Sequence, residues 1–177
     1  MRPVSESEIR ASFVNCSKGE ARRLNLPRGL ADLPWEHLDF LGWRDPGAPD
    51  RSYLVAEREG GPEAAGGLVG VTLRMPAGVR KSLMKSNVCA VCVTPHPGTG
   101  VLLQTAARAG ASGRQGNSVG QYMCADLACS LYVRGRKKPE MGGRPTESLT
   151  VEERIRRLRA NLDAFLSEVL RESVAAG

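Results

Sequence analysis

Four of the five cysteines in this 177-residue chain form two closely spaced pairs. Cys89 and Cys92 are separated by two residues in NVCAVC, and Cys124 and Cys129 by four residues in QYMCADLAC. Zinc is bound in proteins by thiolates, and a structural zinc site takes four ligands in a tetrahedron. The spacing therefore predicts one structural zinc ion held by these four cysteines.

Other chemistry is open to the same residues. A redox pair or free buried thiols are the alternatives to zinc at the four cysteines. His96 follows Cys92 by four residues and could replace one thiolate, although its position between two prolines favours a role in shaping the chain after the first pair. We expect Cys16, which has no neighbouring cysteine, to be a small buried hydrophobic residue. Because four protein ligands leave no open coordination position, the expected metal is structural and not catalytic.

The elements that must position the cysteines are predicted by the patterns around them. GVLLQTAARAG and SVGQYMC, joined by the loop ASGRQGN, predict a hairpin between the two pairs. ADLACSLYVRG predicts a short helix that begins near Cys129. A knuckle, a hairpin and a helix in this order make a treble clef, which we expect at about residues 86–138.

The rest of the chain predicts a sheet between two helical ends. DFLGWRD, SYLVAERE and GLVGVTLRM predict three antiparallel strands between Phe40 and Met75. Ser5 and Glu8 have the spacing of a capping box at the start of an N-terminal helix, and a short helical piece is expected over residues 20–24.

The clearest element is a long amphipathic helix at about residues 150–172. Thr150 and Glu153 have capping-box spacing, and an apolar stripe follows at helical period. We therefore expect an α+β fold: an antiparallel sheet with an integrated treble-clef zinc finger, an N-terminal helix and this C-terminal helix. The length fits a single domain over residues 1–177.

The positive charge is concentrated near the predicted finger. The net charge is +6, and residues 130–160 contain nine basic residues against four acidic ones. This is consistent with an acidic partner, either RNA or an acidic protein surface, and equally with an ordinary solvated, charged surface around a helix. The candidate contacts lie on the hairpin tip and just after the zinc helix: Arg114, Gln115, Arg134, Arg136, Lys137 and Lys138.

Other functional classes are disfavoured by the sequence. The start, MRPVSESEIR, has no apolar run typical of a signal peptide, and no stretch has the length of a membrane span, so we expect a cytoplasmic protein that does not contact membranes. The two histidines are far apart, and no Ser/His/Asp or Cys/His constellation can be assembled. The loop ASGRQGN lacks the lysine of a phosphate-binding loop. We expect neither enzymatic activity nor a small-molecule substrate.

Several of these stretches resemble one family. FVNCSKGEARRLNLP, FLGWRDP, CAVCVTPHPG, GNSVGQYMCADLACSLYVRG and ERIRRLRANLDAFL are similar to the C-terminal treble-clef zinc-finger domain of the FBP family, the elongation-factor-G-binding proteins. The resemblance covers about residues 5–170. It implies that Cys89, Cys92, Cys124 and Cys129 are the zinc ligands and that the chain binds elongation factor G.

The resemblance also implies a role in translation. Long members of the family protect translation from fusidic acid by releasing the factor stalled on the ribosome. This chain begins directly in the zinc domain, without their N-terminal helical bundle, so we expect factor binding more firmly than antibiotic tolerance. The leading hypothesis is a non-enzymatic zinc protein that modulates the interaction of elongation factor G with the ribosome. The alternative is an RNA-binding zinc module that contacts ribosomal RNA.

Overall fold

The computed structural model describes residues 1–59, 67–75, 86–139 and 147–171. Within these ranges the chain forms seven strands: β1 (Phe40–Arg44), β2 (Arg51–Arg58), β3 (Gly67–Arg74), β4 (Ser86–Val88), β5 (Pro95–Pro97), β6 (Val101–Ala107) and β7 (Ser118–Cys124). Five of them make one antiparallel sheet in the order β1-β2-β3-β6-β7, and β4 pairs with β5 separately.

The helices flank this sheet. In chain order they are α1 (Glu6–Ser12), α2 (Lys18–Arg22), α3 (Gly110–Arg114), α4 (Cys129–Val133) and α5 (Val151–Leu170), with 3-10 turns at Leu30–Asp32 and Trp35–His37. Capping boxes begin three of them, because Ser5, Ser17 and Thr150 each accept a hydrogen bond from the backbone of a glutamate three residues on. The glutamate side chain accepts one in return, which satisfies two backbone donors that a helix start leaves free.

The two faces of the sheet bury different partners because successive side chains on a strand point to opposite faces. Tyr53 and Val55 of β2 pack on one face in a cluster with Ile9, Trp35 and Trp43. On the other face, a second cluster joins β2 and β3 to α5 and to the four paired cysteines. The predicted metal ligands are therefore part of the larger hydrophobic core.

The N-terminal segment closes a weak point in the sheet. Strands β3 and β6 share one ladder pair, Arg74 with Thr105. The amide of Asn15 donates to the carbonyls of Thr72 and Ala107, at 3.0 Å each, and its oxygen accepts from the Thr72 amide at 2.8 Å. The Asn15 side chain thus links β3 to the end of β6 in addition to that ladder pair.

The predicted α+β fold is confirmed, with its antiparallel sheet, four-cysteine cluster and C-terminal helix at residues 151–170. Two local predictions were wrong. The loop ASGRQGN contains the helical turn α3, and the second helical piece spans residues 18–22 instead of 20–24, because Ser17 caps it. The single domain over residues 1–177 stays a prediction.

Candidate metal centre

Each of the four paired cysteines lies where one element ends or another begins. Cys89 directly follows β4, and Cys92 closes the turn that leads towards β5. Cys124 is the last residue of β7, and Cys129 is the first residue of α4. One ligand therefore comes from the strand end and one from the first helical turn, as the sequence predicted.

The sulfur atoms of these residues are close enough to share one ion. All four lie within 4.8 Å of one another, with Cys89 Sγ 3.7 Å from Cys129 Sγ and Cys92 Sγ 3.4 Å from Cys124 Sγ. Four sulfurs in a tetrahedron about 2.3 Å from zinc stand roughly 3.8 Å apart. The sulfur positions and the all-thiolate donor set fit one structural zinc in a treble-clef finger, as the sequence predicted.

Two residues beside the ligands have unusual backbone conformations. Val93, directly after Cys92, has φ 58°, and Leu127, between the ligands of the second pair, has φ 55°. A left-handed conformation costs roughly 1–2 kcal/mol for a residue with a side chain, and a β-branched residue such as valine seldom adopts it. The turns are held by backbone hydrogen bonds, since Val93 N donates to Cys89 O and Leu127 N to Cys124 O. The strain lies where the chain must bend to aim its thiolates inward.

Burial and mutual hydrogen bonding set the acidity of the thiols. The pKa of Cys92 lies below the ordinary thiol value, chiefly because Cys124 and then Cys129 hydrogen-bond to its sulfur. The pKa of Cys129 lies above that value, because Cys124 and its other two neighbours hydrogen-bond to the protonated form in a fully buried site. Zinc binds thiolates, so loading the site displaces these protons and is favoured as the pH rises.

His96 lies beside the cysteine cluster as a contact of one ligand. Its Nε2 atom is 3.2 Å from Cys124 Sγ, and its ring packs edge-on against Tyr132 with centroids 4.6 Å apart. An imidazole with its proton on Nε2 donates to the Cys124 thiolate, which lowers the negative charge that the sulfur presents to the metal. The role that the sequence favoured for His96, shaping the chain after the first cysteine pair, agrees with its place in β5.

Asp126 holds the loop between Cys124 and Cys129 in place. Its carboxylate accepts hydrogen bonds from Ala128 N at 3.1 Å, from Tyr132 Oη at 2.9 Å and from Lys137 Nζ at 2.7 Å. The Lys137 ammonium also lies 5.7 Å from the centre of the Tyr132 ring. One carboxylate thus fixes the start and the end of α4, on which the fourth ligand sits.

A buried ion pair fastens α4 to the rest of the fold. The Asp39 carboxylate, just before β1, has no exposed area and pairs with Arg134 after α4 and with Arg159 on α5. Asp39 N also donates to Ser130 Oγ at 2.9 Å. Burial by itself raises the pKa of the Asp39 carboxyl, but the hydrogen bonds from Arg134 and Arg159 outweigh it and hold that pKa below its ordinary value. The start of β1, the end of α4 and helix α5 therefore meet at the Asp39 carboxylate.

The predicted partner contacts fall into two separate groups. Arg114 and Gln115 are exposed at the end of α3, in the loop that joins β6 to β7. Cys124 lies at the opposite end of this hairpin. The seven residues of β7 span roughly 20 Å at about 3.3 Å per residue. Arg136, Lys137 and Lys138 are exposed near the finger, whereas the Arg134 side chain is 13% exposed and pairs with Asp39. The structure therefore separates the hairpin tip from the basic stretch, and the contact role of all six residues stays a prediction.

Three important residues were not identified from the sequence: Asn15, Asp39 and Asp126. Asp126 carried a readable signal, since an aspartate two residues before a helix cap often binds the helix start. Asn15 and Asp39 act on strands and helices far away in sequence, so no local pattern marks them. Cys16 is half-buried beside a cavity instead of being a core residue.

Comparison with known proteins agrees with this geometry. The sequence model of one family, described as FBP C-terminal treble-clef zinc-finger, matches residues 8–169, which is nearly the whole chain. No curated protein and no solved structure matches significantly. Of the helices in the described ranges, none combines the length and apolar character that a membrane span requires.

Proposed function

The chain belongs to the FBP C-terminal treble-clef zinc-finger family, and we propose on that basis that it is a non-enzymatic protein that binds elongation factor G. Bound to the factor, it modulates the interaction of the factor with the ribosome. The observation that carries the proposal is the family match over residues 8–169, together with the four cysteines that converge in one cluster. The proposal implies a protein of the cytoplasm, where translation takes place.

The docking surface we propose is formed by the finger and the basic stretch after it. Arg136 and Lys138 are exposed and bring positive charge. Val88, Val93 and Tyr122, which are 53%, 39% and 57% exposed, are the large apolar residues left open to solvent in the described part of the chain. A backbone hydrogen bond from Ala90 N to Tyr122 O joins the turn between Cys89 and Cys92 to β7. Tyrosine and arginine are enriched among the residues that contribute most to protein–protein binding.

Zinc contributes to binding by keeping this surface in one conformation. The knuckle, the end of β7 and α4 are joined through the four thiolates, so their exposed side chains are ordered before the partner arrives. Binding then loses less conformational entropy than it would with a flexible finger. Arg134 pairs with the buried Asp39 carboxylate. We therefore propose that it holds α4 in position and does not itself contact the factor.

The effect on translation requires preference for one state of the factor. A ligand shifts a conformational equilibrium only by its difference in affinity for the two states, and a tenfold shift needs about 1.4 kcal/mol. Tolerance of fusidic acid would follow if the preferred state were one that leaves the ribosome.

Charge reversal on the finger tests the docking surface. In a pull-down with purified elongation factor G, we expect Arg136→Glu/Lys138→Glu to weaken binding by about tenfold or more, because both charges are exposed and unpaired in the described part of the chain. Lys137 is left unchanged because its ammonium pairs with Asp126 and supports the finger. The matched control is Arg22→Glu/Arg28→Glu, which reverses two exposed charges far from the finger.

Either of two outcomes would contradict the proposed docking surface. If the finger variant binds as well as the wild type, or if the control variant loses as much affinity, the proposed surface is wrong.

RNA binding is the second candidate function, favoured by the same basic stretch. It predicts an affinity for free ribosomal RNA that falls steeply with salt while affinity for the purified factor is absent.

A further inference from the structure

A cavity of about 710 Å³ lies on the face of the sheet that carries Tyr53, opposite the face covered by α5. Its walls come from α2, the turn between β1 and β2, and strands β2, β3, β6 and β7. Sites for small molecules typically have volumes of about 300–1,000 Å³. We call it the arginine cavity, after the three arginines that line it: Arg23, Arg51 and Arg74.

Two of these arginines occupy positions that a sheet ordinarily avoids. Arg51 of β2 and Arg74 of β3 are direct cross-strand partners. Directly opposite residues in an antiparallel pair have Cβ atoms about 4.5–5.5 Å apart, and like charges there destabilise the sheet. Departures from such local rules are expected at functional or strained sites. Arg23, just after α2, adds a third positive charge to the same walls.

Two carboxylates, Glu20 and Asp45, also line the cavity and offset part of this charge, while their hydrogen-bonding capacity is largely taken up by other groups. The Asp45 carboxylate is occupied by Tyr53 Oη at 2.6 Å, Asn25 Nδ2 at 2.9 Å and Gly47 N at 2.8 Å. The Glu20 carboxylate accepts from Ser17 N at 2.9 Å and from Ser17 Oγ at 2.8 Å, in the capping box of α2.

The arginines themselves are weakly paired. Asp50 approaches Arg74 at 3.7 Å, but both side chains are about half-exposed or more, and such surface pairs contribute little. Among the described residues, no carboxylate forms an ion pair with Arg23 or Arg51. Glu20 attracts both guanidinium groups without contacting them. Arg51 also interacts with the Tyr53 hydroxyl. The lining of the cavity therefore carries three guanidinium groups against two carboxylates.

We propose that the arginine cavity binds a phosphorylated small molecule, with a phosphate group placed between Arg51 and Arg74 and within reach of Arg23. Guanidinium groups donate paired, charge-assisted hydrogen bonds to phosphate oxygens, which suits a multivalent anion better than a single carboxylate. Thr105 and Ser118 on the same wall offer hydroxyl groups for the remainder of the molecule. None of the four paired cysteines lines the cavity, so this site is separate from the proposed docking surface on the zinc finger.

The test uses the zinc-loaded full chain at low ionic strength in a buffer free of phosphate. Pyrophosphate and ATP are titrated by calorimetry, with adenosine as the uncharged probe. We expect micromolar binding of ATP or pyrophosphate, none of adenosine, and a loss of about tenfold or more in Arg51→Gln/Arg74→Gln. Equal affinities for the two anions would assign recognition to the phosphates alone, and tighter binding of ATP would add contacts to the nucleoside.

The matched control is Arg22→Gln/Arg28→Gln, which removes two exposed charges outside the cavity and should bind as the wild type does. Without any anion, Arg51→Gln/Arg74→Gln should melt no lower than the wild type, because it relieves repulsion. If that variant does not fold, Arg23→Gln, at an exposed helix end, gives the same test. Absence of anion binding by the wild type, or equal losses in the cavity and control variants, would overturn the proposal.

Discussion

The zinc centre consists of its four cysteine ligands and of further residues that contact these ligands or the loop that carries them. The four sulfurs are buried within the larger core cluster, so the metal and the hydrophobic core depend on each other. His96 reaches Cys124 from β5, and Asp126 fixes the loop that leads to Cys129. Changes at the ligands and changes behind them should therefore have different, measurable effects.

Cys124→Ser removes one ligand from a closed site. We expect the variant to lose its zinc and about 4 kcal/mol or more of stability, because metal binding and folding are coupled in such sites. For a chain of this size this lowers the melting temperature by roughly 10 °C. Metal analysis and thermal unfolding measure both. Cys16→Ser, at the half-buried cysteine outside the cluster, should keep one zinc per chain. Retention of zinc and melting temperature by Cys124→Ser would refute the ligand assignment.

His96→Ala tests the contact behind the ligand. Loss of a hydrogen bond to a metal ligand typically costs about 10–100-fold in metal affinity, and we expect a loss in this range with zinc still bound at saturation. Competition with a chelator of known affinity measures it. His37→Ala changes the other histidine, which lies beside Glu36 on a 3-10 turn, and should leave zinc affinity unchanged. Equal affinities for all three proteins would limit His96 to a packing role.

At the scale of elements, the fold is joined where β1, α4 and α5 meet at Asp39. This carboxylate is fully buried, whereas the ion pair between Arg58 and Asp163 lies on the surface, with the Asp163 side chain 56% exposed. Removing one partner of a buried pair leaves an uncompensated charge in a poor solvent. An exposed pair costs little to break because water replaces the partner.

Asp39→Asn should therefore cost about 3 kcal/mol at neutral pH, the lower end of the range for buried pairs, since Arg159 is largely solvated. Asp163→Asn should cost less than about 1 kcal/mol. Denaturant unfolding of both variants measures the difference. Similar costs for the two variants would show that the Asp39 pair does not fasten α4.

The same comparison has a defined dependence on pH. The pKa of Asp39 is lower in the folded protein than its ordinary value, so its stabilisation is complete above that ordinary value of about 3.9. The advantage of the wild type over Asp39→Asn should shrink as the pH falls through the folded-state pKa. An advantage that grows on acidification would contradict the assignment.

The sequence predicted the elements whose signals are local. The capping box at Thr150 and the apolar stripe gave α5 nearly to its ends, and the paired cysteines gave the metal centre. The capping box of Ser17 and Glu20 is an equally local signal, and it places the start of α2 at Lys18. The ion pairs of Asp39 join residues more than 90 positions apart, so they depend on tertiary packing that no periodicity encodes.

At the scale of the whole molecule, the two faces of the five-stranded sheet carry two different candidate sites. The face covered by α5 leads to the zinc finger, which carries the proposed docking surface. The opposite face carries the aromatic cluster of Trp43 and Tyr53 and the arginine cavity. The proposed binding of elongation factor G at the finger and the proposed binding of a phosphorylated ligand in the cavity can therefore be tested separately on the same protein.

The central claim is that the zinc-loaded chain binds elongation factor G. The most direct measurement is isothermal titration of the protein against purified elongation factor G from the same organism, with zinc content determined on the same sample. We predict one zinc per chain and one-to-one binding with a micromolar or lower dissociation constant. One zinc per chain with no binding would contradict the account, because the finger would then be intact and its proposed partner wrong.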